Sequence, residues 1–155
     1  MRRMHMTHFT LAALLVAAPA VAQQGAIGPT LAEAKKMIAA AQATAAKAGV
    51  GLSCVVLDSR GGLVALERMD NAPFFTADVA RGKALTSASF GAPSGSLASL
   101  ATSGIGNALP GPATPLFMQG AVPLMRNNQR LGAIGCSGGT GQQDEDGAKA
   151  GAAAF

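Results

Sequence analysis

The feature that most constrains the fold is a pair of strand-like runs joined by a short turn. Residues 52–57 read LSCVVL and are apolar and partly β-branched, and residues 63–69 form a second run of similar character. The connecting residues, DSRGG, are typical of a turn. Because parallel strands need a long crossover, a connection this short favours antiparallel pairing. We therefore predict a β-hairpin within an antiparallel sheet.

Helices and further strands flank this hairpin. Thr30 and Glu33 have the spacing of a capping box before an amphipathic helix over residues 31–48. Thr76 is placed to cap a second helix over residues 77–90. The remaining predicted elements are strands at 116–118, 122–126 and 130–136, a turn at Asn127-Asn128, a long irregular loop over 102–115, and a helix over 144–154. This order predicts one α+β domain, an antiparallel sheet of about five strands with helices packed on one face.

The first 22 residues have the pattern of a secretory signal peptide. A basic start, an apolar run over residues 9–18 and the small-residue site Ala20-Val21-Ala22 follow in order. We therefore expect residues 1–22 to be removed and residues 23–155 to form the domain. The apolar run is too short to span a bilayer stably. The expected location is periplasmic or secreted, with no membrane attachment after cleavage.

Composition narrows the possible chemistry of residues 23–155. Both histidines, His5 and His8, lie in the leader, so a Ser-His-Asp triad, a Cys-His pair and a His-ligated metal are excluded from the processed chain. No nucleophile–base pair is evident, and the sequence gives little support to an enzyme. Loss of Arg2 and Arg3 leaves ten basic residues against eight acidic ones, and the chain has no Trp or Tyr. A nucleic-acid partner is therefore not expected.

A glycine cluster near the C-terminus invites comparison with a phosphate-binding loop. Residues 135–141 read GCSGGTG, but no Gly-Lys-Ser/Thr step follows. Asp144, Glu145 and Asp146 come next and would repel an anion at the start of the following helix. We therefore interpret the glycines as a tight strand-to-helix turn and the acids as a helix cap. Three adjacent acids on a helix do not share one face, so a metal site is not predicted either.

Five residues make up the candidate ligand site. Arg68, Met69 and Asp70 end the second strand, Phe74 follows, and Lys83 lies within the next helix. One interpretation is a pocket in which Arg68 and Lys83 meet an acidic ligand group. The alternative is structural: Arg68 or Lys83 pairs with Asp70 or Asp78, and the phenylalanines belong to the core. The residues alone favour this structural alternative.

The chain as a whole resembles the GlcG/HbpS-like haem-degrading domain family. The matching segments cover nearly all of residues 23–155. They are the first helix, VVLDSRGGLVALERMDNA at 55–72, ARGKALTSASFGAPS at 80–94, GAVPLMRNNQRLGAIGCSGG at 120–139 and QQDEDGAKAG at 142–151. The resemblance implies a small α/β-sandwich-like domain with a central antiparallel sheet, assembled as a homo-oligomer. It also implies binding or sensing of haem by exported members, and association of others with small-molecule catabolism.

Three functions are therefore considered. The first is an exported protein that binds a small molecule, with haem or a related tetrapyrrole as the ligand the resemblance implies. The second is a small lyase or isomerase that uses Lys83 as its base. The third is a non-catalytic interaction module that acts as an oligomer. The sequence by itself does not choose among ligands.

Haem binding would have to proceed without histidine. Met69, Met118 and Met125 remain as thioether ligands, although methionine is more often core filler. A weak or an unligated haem site, at a subunit interface, is compatible with this. Cys54 and Cys136 both lie in predicted strands, at positions where the family has apolar residues, so we expect two free, buried thiols rather than a disulfide.

Overall fold

The computed structural model describes residues 28–105 and 114–155. The predicted leader lies outside the described residues. In chain order the elements are α1 (Leu31–Lys47), β1 (Ser53–Asp58), β2 (Leu63–Arg68), α2 (Thr76–Phe90), a 3-10 helix (Ser94–Thr102), β3 (Ala121–Arg126), β4 (Gln129–Ser137) and α3 (Gly141–Ala152).

The strands form one antiparallel sheet in the order β2-β1-β4-β3. The hairpin of β1 and β2 is confirmed, with Asp58 Oδ1 accepting hydrogen bonds from the amides of Arg60 and Gly62 at 2.8 Å each. The turn between β3 and β4 is also confirmed. Asn127 and Asn128 both have positive φ, at 51° and 60°, as a two-residue type I′ turn requires. The α+β class is therefore correct.

The described sheet has four strands instead of about five, because residues 116–118 are not part of it. The amide of Leu116 donates to Gly82 O at 3.0 Å, and the hydroxyl of Thr86 donates to Leu116 O at 3.0 Å. The backbone N–H and C=O of Leu116, which would pair with a neighbouring strand in a sheet, are therefore both bonded to α2. A three-residue apolar run does not reveal this, since the competing partners lie about 30 residues away in the chain.

Helices cover both faces of the sheet, and the expectation of one covered face is wrong. Cys54 and Val56 of β1 pack with α1 and α3, whereas Val55 and Leu57 pack with α2. Successive side chains of a strand point to opposite faces, so β1 is buried on both sides. At Gly135 of β4 the approach of α2 is so close that a Cβ would lie 2.6 Å from Ala80 O.

Two helix starts differ from the sequence expectation. Thr76 does not cap α2: the cap position is Phe75, and the Thr76 hydroxyl is bonded to Pro73 O and to Ser53 Oγ, each at 2.7 Å. Helix α3 begins at Gly141, with Thr140 and Gln143 forming a capping box. The acidic residues therefore follow the cap of α3. Helix α1, in contrast, begins as predicted, with its own capping box.

The expectation of two free thiols is wrong, because Cys54 and Cys136 form a disulfide. The two residues stand directly opposite each other on β1 and β4, with Cα atoms 4.2 Å apart, and both are fully buried. Directly opposed positions on antiparallel strands are close enough for a bridge. The sequence places each cysteine in a strand but does not give the register between strands 82 residues apart.

Candidate functional site

The end of β2 forms the first of two cavities relevant to ligand binding. Arg68, Met69 and Asp70 line an open depression of about 410 Å³. Its other lining residues are Gln42, Glu67 and Asn71. The structure thus brings together three of the five predicted site residues. One guanidinium stands among two carboxylates, so the cavity suits a small polar molecule better than a multiply charged anion.

Met69 and Arg68 are partly engaged by the protein itself. Met69 Sδ accepts a hydrogen bond from the Leu52 amide at 3.3 Å, and the side chain packs on the main core. Arg68 Nη1 donates to Ala72 O at 3.4 Å. The thioether of Met69 is therefore turned toward the interior, which makes it a poor ligand for a metal ion in this cavity.

Phe74 lies beyond this cavity on the surface. It is 83% exposed and stands edge-on to the half-exposed Phe75, with ring centroids 5.7 Å apart. The alternative that both phenylalanines belong to the core is wrong. An exposed aromatic pair makes this part of the surface a candidate contact surface.

Lys83 does not line the cavity at the end of β2. It is 3% exposed, and its Nζ donates to Asp144 Oδ2 at 2.6 Å and to Cys136 O at 3.5 Å. Lys83 thus belongs to an ion pair, as the structural alternative predicts, but its partner is Asp144 rather than Asp70 or Asp78. The ammonium group is thus bonded within the protein, to the Asp144 carboxylate and the Cys136 carbonyl.

The glycine cluster completes this buried ion pair. Asp144 Oδ1 accepts a hydrogen bond from the Gly139 amide at 2.8 Å, so this backbone N–H of the cluster is bonded to a carboxylate of the protein itself. Gly120, with φ of 137°, closes over the pair, and a Cβ there would lie 2.8 Å from Lys83 Nζ. The interpretation of the cluster as a turn agrees with this geometry, while the role of Asp144 as a cap does not.

A second cavity lies at the segment that was predicted to be a strand. Its volume is about 310 Å³, and most of its lining side chains are apolar. The lining residues are Ala101, Gly104, Thr114, Pro115, Leu116, Phe117 and Met118. Sequence reasoning missed this site because the run at 116–118 was assigned to the sheet. Met118 was one of the three possible thioether ligands in the sequence, and the neighbouring prolines were a second signal.

Contacts at both ends hold this segment in place. Beyond the bonds of Leu116 to α2, the Ser94 hydroxyl donates to Met118 O at 2.6 Å and accepts from the Ala121 amide at 3.0 Å. Phe117 is buried against Phe90, with centroids 5.9 Å apart. The Met118 side chain is 50% exposed. The cavity is therefore lined mainly by apolar residues on a segment held by hydrogen bonds, and the half-exposed Met118 is one of them.

Other classes of site find no support in the described ranges, 28–105 and 114–155. They contain no group of three or more His, Cys, Asp or Glu residues placed to hold a metal ion. None of their helices is both long enough and apolar enough to cross a membrane.

Comparison with known proteins identifies the class of protein that this fold defines. Residues 30–153 match the model of the family described as haem degrading protein HbpS-like, and the chain belongs to that family.

Individual relatives agree with this assignment. The chain is 34% identical to a double mutant of HbpS from Streptomyces reticuli, with a TM-score of 0.77 over 94% of this chain and 99% of that one. It is 31% identical to an uncharacterized 15.0 kDa protein of Citrobacter freundii from the dhaT-dhaS intergenic region, over 74% of this chain and 83% of that protein. A PduOC–heme complex has the same fold, with a TM-score of 0.73 and 22% identity over 83% of this chain and 96% of that one.

Proposed function

We propose that this protein is exported and binds haem or a related planar tetrapyrrole. The observation that carries the proposal is the apolar cavity at residues 114–118, which presents the half-exposed thioether of Met118 in a member of a family described as haem-degrading. A relative of the same fold has been solved as a heme complex. The proposal further depends on how well the residues of this chain suit haem.

The residues of the cavity at 114–118 suit haem. Haem is held by burial of its apolar ring and by an axial ligand, and methionine serves in that role in cytochromes. Pro115, Leu116 and Phe117 supply apolar surface, and Met118 supplies a ligand of the right kind. When bound, haem would bring redox-active iron to this surface. The cavity at the end of β2 fits less well, because Glu67 and Asp70 would repel the propionates.

Titration of haemin into residues 23–155 tests the proposal. We expect a saturable change in the haem absorption spectrum, with modest affinity, so that albumin in excess removes the ligand. The spectrum should not be that of haem ligated by two histidines, since the processed chain has none. No spectral change at any haemin concentration would contradict the proposal.

Export is the second part of the proposal. The signal-peptide pattern of residues 1–22 motivates it, and the buried Cys54–Cys136 disulfide supports it, because disulfides persist mainly in oxidising compartments. N-terminal sequencing of the protein from the periplasmic or secreted fraction should give a start near Gln23. Abundant soluble protein that retains Met1 would contradict export.

We also propose that the protein is a homo-oligomer. Leu63, Leu66, Phe74 and Phe75 are large apolar side chains left exposed near the edge strand β2. Arg68 and Asp70 beside them carry opposite charges, so two copies related by a twofold axis can be complementary. Light scattering at micromolar concentration should show a dimer or larger species, and Phe74→Ser should shift it toward monomer. A monomeric native protein would contradict this proposal.

A further inference from the structure

We infer that Met118 is the residue that would hold the haem iron, through its thioether sulfur, an inference that rests on the proposed haem binding. The first argument concerns the methionines of the described residues, which are Met37, Met69, Met118 and Met125. Met37 is fully buried in the core, and the sulfur of Met69 is bonded to the Leu52 amide. Met118 and Met125 are both 50% exposed and differ in their surroundings.

The surroundings distinguish the two exposed methionines. Met125 lies on the edge strand β3 and lines neither of the cavities described above. Met118 lines the apolar cavity together with Leu116 and Phe117. A thioether is a weak ligand, so it holds haem only where the ring is buried at the same time. Among the exposed methionines of the described residues, Met118 is therefore the one that combines a thioether with a cavity able to bury part of the ring.

The backbone at Met118 favours this role. Its carbonyl accepts a 2.6 Å hydrogen bond from Ser94, whose residue is itself fully buried. Two residues earlier, Leu116 is bonded to Gly82 and Thr86 of α2. These hydrogen bonds hold the main chain in place, while the Met118 side chain remains half-exposed. Preorganisation of this kind lowers the entropy cost of binding.

Neither a cysteine thiolate nor a histidine is available as a ligand for the iron among the described residues. Cys54 and Cys136 are joined as a disulfide, so neither supplies a thiolate. The described residues contain no histidine. A thioether at the apolar cavity is therefore the strongest soft ligand that the described part of the chain offers to the iron.

Leucine substitutions at the two exposed methionines test the inference. Met118→Leu keeps the apolar volume and removes only the sulfur, and Met125→Leu is the matched control. We expect iron X-ray absorption to detect an iron–sulfur scatterer in the native haemin complex and in Met125→Leu, but not in Met118→Leu. Haemin affinity should fall by about tenfold or more in Met118→Leu and stay unchanged in the control.

A gain-of-ligand variant adds an independent measurement. Met118→His places the sole histidine of residues 23–155 at the cavity, so it should convert the spectrum to that of histidine-ligated haem. If native protein binds haemin and Met118→Leu keeps the iron–sulfur signal, the inference is overturned while haem binding stands. If native protein shows no haemin binding, the proposed function itself fails.

Discussion

At the scale of single residues, the most consequential contact is the buried ion pair between Lys83 and Asp144. Both side chains are 3% exposed, and the carboxylate also accepts the Gly139 amide. Removing two charges from water is costly, and their attraction repays that cost only when the remaining polar groups are satisfied. Here the Cys136 carbonyl and the Gly139 amide satisfy them. The pair thereby joins α2 to the first turn of α3, and the Gly139 amide ties the preceding turn to the same carboxylate.

Removal of the carboxylate should destabilise the protein strongly. In Asp144→Ala the Lys83 ammonium stays buried without its charged partner, and we expect the free energy of unfolding to fall by about 3–5 kcal/mol. Urea-induced unfolding followed by circular dichroism measures this. Asp146→Ala, two residues further and exposed, is the control and should change stability by about 0.5 kcal/mol or less. Equal unfolding midpoints for the two variants would contradict the structural role of the pair.

At the scale of elements, the start of α1 is tied to the opposite end of the chain. The Glu33 carboxylate accepts the amide and hydroxyl of Thr30 at 2.8 and 2.9 Å, and its other oxygen contacts Arg126 at 2.6 Å. Arg126 in turn stands 4.1 Å from the centroid of the Phe155 ring. The helix cap therefore also links α1 to the end of β3 and to the C-terminus.

These contacts make the stability of the protein depend on pH through Glu33. The backbone hydrogen bond from Thr30, followed by the contact with Arg126, lowers the pKa of Glu33 to about 2. A carboxyl whose pKa is depressed on folding stabilises the native state above its ordinary pKa of about 4.5, and this contribution is lost as the pH falls toward 2. We expect native protein to lose more stability over this interval than Glu33→Gln does.

Thermal unfolding at several pH values between 5 and 2 measures the difference. Glu67→Gln serves as the control, because Glu67 is an exposed carboxyl on β2 and no salt bridge among the described residues involves it. Its melting temperature should follow that of the native protein. Parallel pH curves for native protein and Glu33→Gln would show that the capping contacts contribute nothing to acid sensitivity.

At the scale of the whole molecule, the disulfide connects the two halves of the chain. Cys54 belongs to the hairpin near the N-terminal side, and Cys136 belongs to the last strand. The bridge lies beneath α1 and α3 in the centre of the main core. Cross-linking residues so far apart in the chain restricts the unfolded state and thereby stabilises the folded one.

Loss of the bridge should lower stability without changing the fold. For the double variant Cys54→Ala/Cys136→Ala we expect a decrease of about 2–5 kcal/mol in the free energy of unfolding, measured in denaturant. In native protein both cysteines should label with a thiol reagent in denaturant only after reduction. Labelling in denaturant without a reductant would contradict the disulfide.

Features that depend on nearby residues could be predicted from the sequence. The capping box of α1, the hairpin of β1 and β2 and the Asn127-Asn128 turn each arise from contacts within a few residues, and the structure has all three. That both histidines lie within residues 1–22 can likewise be read from the sequence directly. These features do not depend on contacts with distant parts of the chain.

The remaining features were decided by contacts between distant segments. Asp144 lies 61 residues from Lys83, and the bridged cysteines lie 82 residues apart, so neither partner could be chosen before the strand order was known. Residues 116–118 lie outside the sheet, where the backbone of Leu116 is bonded to α2, and they line the cavity at Met118. Local pattern therefore specified most of the elements, while register and packing selected the ion pair, the bridge and the site.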